Sequence, residues 1–378
     1  MHFGSLKARD LPERTWTSVA VESFYRDLIK APQVVFLGSS LMLTPLNMTD
    51  AKILGRTLDG SRHHQSIYFG ALVKKLTGRE INTFNFSLPG EMPSDAYLIT
   101  KLLLRGTKKP EVIIYGVGPR DFMDNLLDSP VATDPYRYLS KLDSHGPDSS
   151  FVGHRWDQQL DYWLTRLVYP YGKKEDISTQ AQLRLQKLLI SNLCASTGVG
   201  QLTWKQKRTL LGQSHTMEIA EGECLFYPVI AHDANRFNDN LGEYKQRYGV
   251  LNWNTFLVQL NFLAKLLDTA RAQHINAVIV AMPITSVNRR LIPEFTWQAY
   301  KSSLRVITIS KAARFVDLES SDQFCDDDFG DTVHLNTIGG IKLVQVLVEQ
   351  LLQDGKLTNS DRAIGQVSGE GPGKDEAL

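Results

Sequence analysis

Short apolar runs closed by glycine or proline set the tightest constraint on this chain. Val34-Val35-Phe36-Leu37 runs straight into Gly38-Ser39-Ser40. The arrangement recurs where Ile81 to Phe86 ends near Pro89-Gly90, Val112 to Tyr115 ends at Gly116, and Ala277 to Met282 ends at Pro283. A run without polar alternation suits a strand covered on both faces, as in a parallel sheet. Helical patterns lie between them: Trp16 to Ile29, stopped by Pro32; Ser94 to Leu104; Thr255 to Leu267 behind Asn254 as N-cap; and Ile341 to Leu352 behind Asn336 or Thr337. With a weaker strand pattern at Phe315 to Leu318, the alternation predicts an α/β fold, a parallel sheet between helical layers. Such sheets bind ligands at the carboxyl ends of their strands, where Gly38-Ser39-Ser40, Gly90 and Gly116-Val117-Gly118 fall.

Between Tyr115 and Ala277 lie roughly 160 residues, far more than a crossover of about a dozen needs. The core is therefore expected at 34–125 and 251–356, preceded by an N-terminal helix within 1–33 and interrupted by an inserted subdomain or lid at 126–250. The insertion reads as mostly helix and loop. Its Tyr136, Tyr138, Trp156, Tyr162, Trp163, Tyr169, Tyr171 and Trp204 could stack on a sugar ring or fill a small core, and core filling is the commoner use of such rings. Residues 357–378 are rich in Gly, Ser and charge and read as a disordered tail.

Forty-two Lys and Arg against 41 Asp and Glu leave a net charge of +1, so no overall field draws in nucleic acid. Cys194, Cys224 and Cys325 form no C-x-x-C pair and are expected to be buried thiols, with no disulfide framework and no zinc site. His63-His64 and His232-Asp233 lack further ligands at metal spacing and read as surface, so neither metal nor cofactor is expected. The apolar stretch Asn276 to Asn288 is too short to span a bilayer, for which about 20 residues are needed. Met1 to Arg14 lacks the apolar run of a secretory signal, which reads as cytoplasmic; a hydrophobic segment encoded upstream would make the protein extracytoplasmic or membrane-associated.

A serine becomes a nucleophile when a base takes its proton and a third group orients the base. Ser40 follows a buried strand, where a helix or turn starting after it would aim N–H groups at a developing oxyanion. Asp331-Thr332-Val333-His334 places a carboxylate and an imidazole three residues apart just before the last helix. One turn can hold both over a single site, with Asp331 on one ring nitrogen of His334 and Ser40 on the other.

These residues resemble the SGNH or GDSL hydrolases. Gly38-Ser39-Ser40-Leu41 is similar to their G-D-S-L block, with Ser39 in place of the Asp, and Asp331-Thr332-Val333-His334 matches their D-x-x-H. Phe84 to Gly90 looks like the second block and points to Gly90 as an oxyanion donor beside the Ser40 N–H. The third block, G-x-N-D, is replaced by Gly116-Val117-Gly118-Pro119-Arg120-Asp121, and direct alignment puts Gly118 at the missing Asn. The variant looks most like divergent bacterial members, the exopolysaccharide O-acetylation proteins and the protein that helps add D-alanine to teichoic acid. The resemblance implies a three-layer α/β/α, flavodoxin-like fold with a large inserted region. It also implies ester hydrolysis or O-acyl transfer on an acylated carbohydrate or cell-envelope polymer, with a membrane acyltransferase as partner.

Each residue has a structural alternative. Ser40 can be a turn serine bonded to local backbone, Gly90 a helix-entry glycine, and Asp331 a cap for the final helix with His334 packed beneath it. Arg120 can replace the missing Asn, bind a substrate carboxylate or phosphate, or pair with Asp121 at the surface. A catalytically weak or inactive binding protein on the same fold is the competing function.

Overall fold

The computed structural model describes residues 15–26, 30–127, 129–140, 142–143, 151, 156–168, 171, 227–231, 237–249, 251–353 and 355. Its centre is a five-stranded parallel sheet of β1 (Val34–Gly38), β3 (Thr83–Asn85), β4 (Val112–Val117), β6 (Asn276–Ala281) and β7 (Arg314–Asp317). The strand order is β3-β1-β4-β6-β7, the doubly wound order whose direction reverses at the first strand. Pairing is in register from Val34 opposite Val112 to Gly38 opposite Gly116, and from Val112 opposite Asn276 to Val117 opposite Ala281. These central strands are buried almost throughout, which is why their sequences are continuously apolar.

β3 is shorter than the segment Ile81 to Phe86 suggests, because it is an edge strand. Its polar residues find local partners: the Thr83 hydroxyl accepts the Ser66 N–H at 2.9 Å. A second, two-stranded sheet is invisible to the sequence pattern. In it β2 (Leu58–Asp59) runs antiparallel to β5 (Pro228–Val229), and two residues are too few to show any periodicity.

Helices cover both faces, giving the three-layer α/β/α arrangement. Pro93–Leu102, Trp253–Ala272 and Glu294–Ser310 pack together on one face, and Ser40–Leu54, Ile67–Thr77 and Thr337–Gln353 on the other. Side chains such as Phe36, Phe69, Ile114 and Leu343 are fully buried between these layers, each contributing about 1.5–3 kcal/mol of hydrophobic stabilisation. The helix expected from Thr255 begins earlier, at Trp253, since the Asn252 carboxamide accepts the N–H groups of Asn254 and Thr255 at 3.1 and 3.3 Å. Asn252, not Asn254, is the cap. Asn336 serves the final helix in the same way through the N–H groups of Ile338 and Gly339.

One close crossing matters for the site. A Cβ at Gly340 would lie 2.5 Å from the Thr49 hydroxyl and 2.6 Å from the Pro45 carbonyl, so only glycine lets Thr337–Gln353 approach Ser40–Leu54 this closely. The loop preceding the final helix is thereby brought over the start of the other.

Of the region 126–250, the described α-helices are Asp134–Leu139, Trp156–Leu167 and Leu241–Tyr248. Tyr138 is buried and Tyr136 packs against the core and Phe151, whereas Trp156 and Trp163 are exposed, so core filling accounts for only some of the inserted aromatics. Tyr169, Trp204 and the side chain of Tyr162 lie outside the described residues, as do Met1 to Arg14, Leu28, Ile29 and the tail from 356.

Candidate active site

β1 ends at Gly38, and Ser39 in extended conformation caps the helix that starts with Ser40. Ser40 sits half-buried at the carboxyl edge of the sheet. As the first helical residue, its N–H is among those with no intrahelical carbonyl to bond.

His334 meets Ser40 from the opposite end of the chain. Its Nε2 lies 2.7 Å from the Ser40 Oγ, and its Nδ1 lies 2.6 Å from the Asp331 Oδ2. The other Asp331 oxygen accepts the N–H groups of Val333 and His334 at 2.8 and 2.7 Å, which closes the turn. Burial alone would raise the Asp331 carboxyl. Hydrogen bonds from the His334 ring and the two backbone N–H groups outweigh this and hold it below the usual carboxylate range. An ionised carboxylate only accepts, so Nδ1 carries the ring proton and Nε2 is left to accept the Ser40 proton. Asp331 is thus spent on the histidine and its turn, while the final helix is capped by Asn336.

Gly90, at φ +77°, occupies a left-handed turn residue's place between Leu88 and Glu91 and faces the same cavity as Ser40. The third loop differs from the alignment. Gly118 donates its N–H to the Asp121 Oδ2 at 2.8 Å and does not line the cavity. Arg120, two residues later, does line it, with Nη2 3.2 Å from where a Gly90 Cβ would stand. Arg120 does not form a surface pair with Asp121. Its Nε donates to the buried Asp124 at 2.9 Å, and its Nη1 is 3.6 Å from the equally buried Asp121.

Below these loops lies a layer of buried acids that carries no motif. Glu91 accepts the Gly38 and Leu88 N–H groups at 3.1 and 3.2 Å, fastening the end of β1 to the Gly90 turn. Asp121 accepts the Ser39 hydroxyl at 3.4 Å as well as the Gly118 N–H. Burial pushes Asp121 up to about 6, against the Arg120 charge and both hydrogen bonds, and pushes Glu91 well above its ordinary value.

The remaining wall comes from the helix Leu241–Tyr248, which sequence reasoning misses. Asn240, Glu243, Tyr244, Arg247 and Tyr248 join Ser40, Gly90, Arg120 and His334 around a cavity of about 150 Å³. Asn240 accepts the Thr332 N–H at 3.1 Å and so steadies the histidine loop, while Arg247 donates to the same Asp124 oxygen as Arg120, at 2.5 Å. The helical spacing of Asn240, Tyr244 and Tyr248 is the one sequence signal available.

Other candidates lie elsewhere. His63 is not a surface residue: its Nε2 bonds the buried Asp50 at 2.7 Å, while the half-buried His64 stacks on Phe84. Cys325 is an exposed free thiol and not a buried one; Cys194, Cys224 and His232-Asp233 lie outside the described residues. Among the described residues no three His, Cys, Asp or Glu side chains gather as a metal site, and no helix is long and apolar enough to cross a membrane.

No family model and no curated protein matches the sequence. Among solved structures, the chain is similar to a protein from Bacteroides fragilis proposed to be an acylhydrolase, at 9% identity and TM-score 0.38 over 90% of this chain and 99% of that one. It is also similar to a catalytic mutant of an acetylxylan esterase from Geobacillus stearothermophilus, at 9% identity and TM-score 0.36 over 88% of this chain and 99% of that one. At such scores no chemistry carries over from those proteins. The fold and site of this chain define an α/β protein with a serine, a histidine and an aspartate in hydrogen-bonded series at the sheet's carboxyl edge.

Proposed function

We propose that this protein is an SGNH-type serine esterase or O-acyltransferase acting on an acylated carbohydrate or cell-envelope polymer. The observation that carries the proposal is the series Ser40 Oγ, His334 Nε2, His334 Nδ1, Asp331 Oδ2, with contacts of 2.7 and 2.6 Å beside the cavity. Ser40 attacks the ester carbonyl carbon as its proton passes to His334, and Asp331 stabilises the imidazolium. The N–H groups of Ser40 and Gly90 receive the oxyanion, and Arg120 supplies the third donor. Collapse expels the sugar hydroxyl with the proton from His334. Water, or a second hydroxyl in a transferase, then attacks the Ser40 ester with His334 as base. A membrane acyltransferase would load the acyl group in the transferase case.

Arg120, Asn240, Glu243 and Arg247 give the cavity a polar lining, which suits a hydroxylated substrate better than a methylene chain. The competing role, a glycan-binding protein without turnover, draws support from the engagement of Gly118 by Asp121, which removes one backbone donor. Release of acetate from an acetylated oligosaccharide, with and without an acceptor sugar, decides between them. Turnover that Ser40→Ala abolishes supports the enzyme, and tight saccharide binding with no release supports the binder.

A further inference from the structure

The cavity is small. About 150 Å³ is well below the roughly 300–1,000 Å³ of sites that enclose drug-sized molecules. The loops after β1, β3 and β4 and the His334 turn, which carry the groups used in the chemistry, line it together with Ile284. The rest of the lining among the described residues is Asn240 and one face of the helix Leu241–Tyr248, which supplies none of the reacting groups.

On that face Tyr244 is a large side chain that lines the cavity. It is 6% exposed, and it lines the same small cavity as Ser40, Arg120 and His334. It cannot move aside easily. Tyr248 braces it with ring centroids 5.6 Å apart. The helix is held at one end by Asn240 on Thr332 and at the other by Arg247 on Asp124, and the Asn125 N–H bonds the Arg247 carbonyl at 2.9 Å. A wall tied at both ends keeps its shape when a ligand presses on it, so its volume becomes a selection rule.

We infer that Tyr244 is the acyl-specificity residue, its ring closing the cavity behind Ser40 so that acetyl-sized groups enter and chains of eight carbons do not. The inference rests on the serine-esterase reading, and the test separates the two. Wild type, Tyr244→Phe, Tyr244→Leu and Tyr244→Ala are compared on p-nitrophenyl acetate, butyrate and octanoate, with labelling of Ser40 by a small fluorophosphonate measured on each.

Wild type and Tyr244→Phe should share one steep preference for acetate, since the ring is kept. Tyr244→Leu and Tyr244→Ala should lower the acetate-to-octanoate ratio of kcat/KM by about tenfold or more, about 1.4 kcal/mol, through a gain on octanoate, while still labelling. Labelling with an unchanged length profile in Leu and Ala overturns the specificity role alone. An equal loss on every ester also overturns it, because Tyr244 would then only support the fold. No labelling and no turnover in the wild type removes the esterase reading and this inference with it.

Discussion

The Ser40 hydroxyl and the His334 ring, 294 residues apart in the chain, meet at 2.7 Å. Two features of the fold bring them together. β1 ends at the switch point of the sheet and delivers Ser40 to its carboxyl edge, and the Gly340 crossing lays the final helix against Pro45 and Thr49 so that its leading loop falls over Ser40. Asp331 holds the other ring nitrogen at 2.6 Å, and the turn it closes with Val333 and His334 makes that orientation local.

His334→Ala should therefore lower kcat by a factor of about 10⁵–10⁶ and Asp331→Asn by about 10⁴, and the double variant of Ser40→Ala with His334→Ala should be no slower than either single change. Steady-state kinetics on p-nitrophenyl acetate measure each protein. A double variant much slower than both singles would mean that the two residues do not act as one unit.

Arg120→Ala should reduce kcat about 10²- to 10³-fold with little change in KM, the cost of one lost oxyanion donor. An unchanged kcat would leave Arg120 a structural partner of Asp124. Lysine at this position should restore charge but not the guanidinium fork that also holds Asp124.

The sequence patterns locate the sheet because the central strands are buried on both faces, which makes Val34 to Leu37 and Val112 to Tyr115 uniformly apolar. Ser40 and Gly90 are legible for a related reason, since strand ends are where such a sheet exposes functional groups, and Asp331 and His334 are legible from their three-residue spacing just before the last helix. Direct alignment puts Gly118 at the missing Asn, but Arg120 is the residue that lines the cavity, since backbone direction after β4 cannot be read from spacing. Asn240, Tyr244 and Arg247 escape detection, because their role depends on where an inserted helix docks. Glu91 accepts the Gly38 N–H and Asp121 the Ser39 hydroxyl, both far away along the chain, and such contacts leave no local pattern.

Gly340→Ala tests the link from packing to chemistry. Alanine favours a helix, but its Cβ would collide with Thr49 and Pro45, so a loss of about 1–3 kcal/mol is expected from overpacking. The melting temperature should fall, and kcat should fall with it as the His334 loop lifts from Ser40. A more stable, fully active variant would show that the crossing is not needed.

Asp95 gives the stability a pH dependence. It is fully buried, and although the Thr133 hydroxyl and Met92 N–H favour its charged form, burial pushes it up to about 7. In the unfolded chain it titrates near 4. Between those values the folded protein keeps a proton that the unfolded chain has released, so the stabilisation is complete below about pH 4 and is lost as the pH rises through 7. The melting temperature of the wild type should thus fall more steeply from pH 5 to pH 8 than that of Asp95→Asn. Parallel curves would mean that Asp95 is ionised in the fold throughout.

Covalent labelling of Ser40 bears most directly on the proposed chemistry. The folded protein is incubated with a small fluorophosphonate, digested, and the adduct located by mass spectrometry. A single adduct on the Ser40 peptide is expected, absent from Ser40→Ala and strongly slowed in His334→Ala. An unlabelled wild-type protein, or labelling that persists in Ser40→Ala, would contradict the assignment of Ser40 as nucleophile.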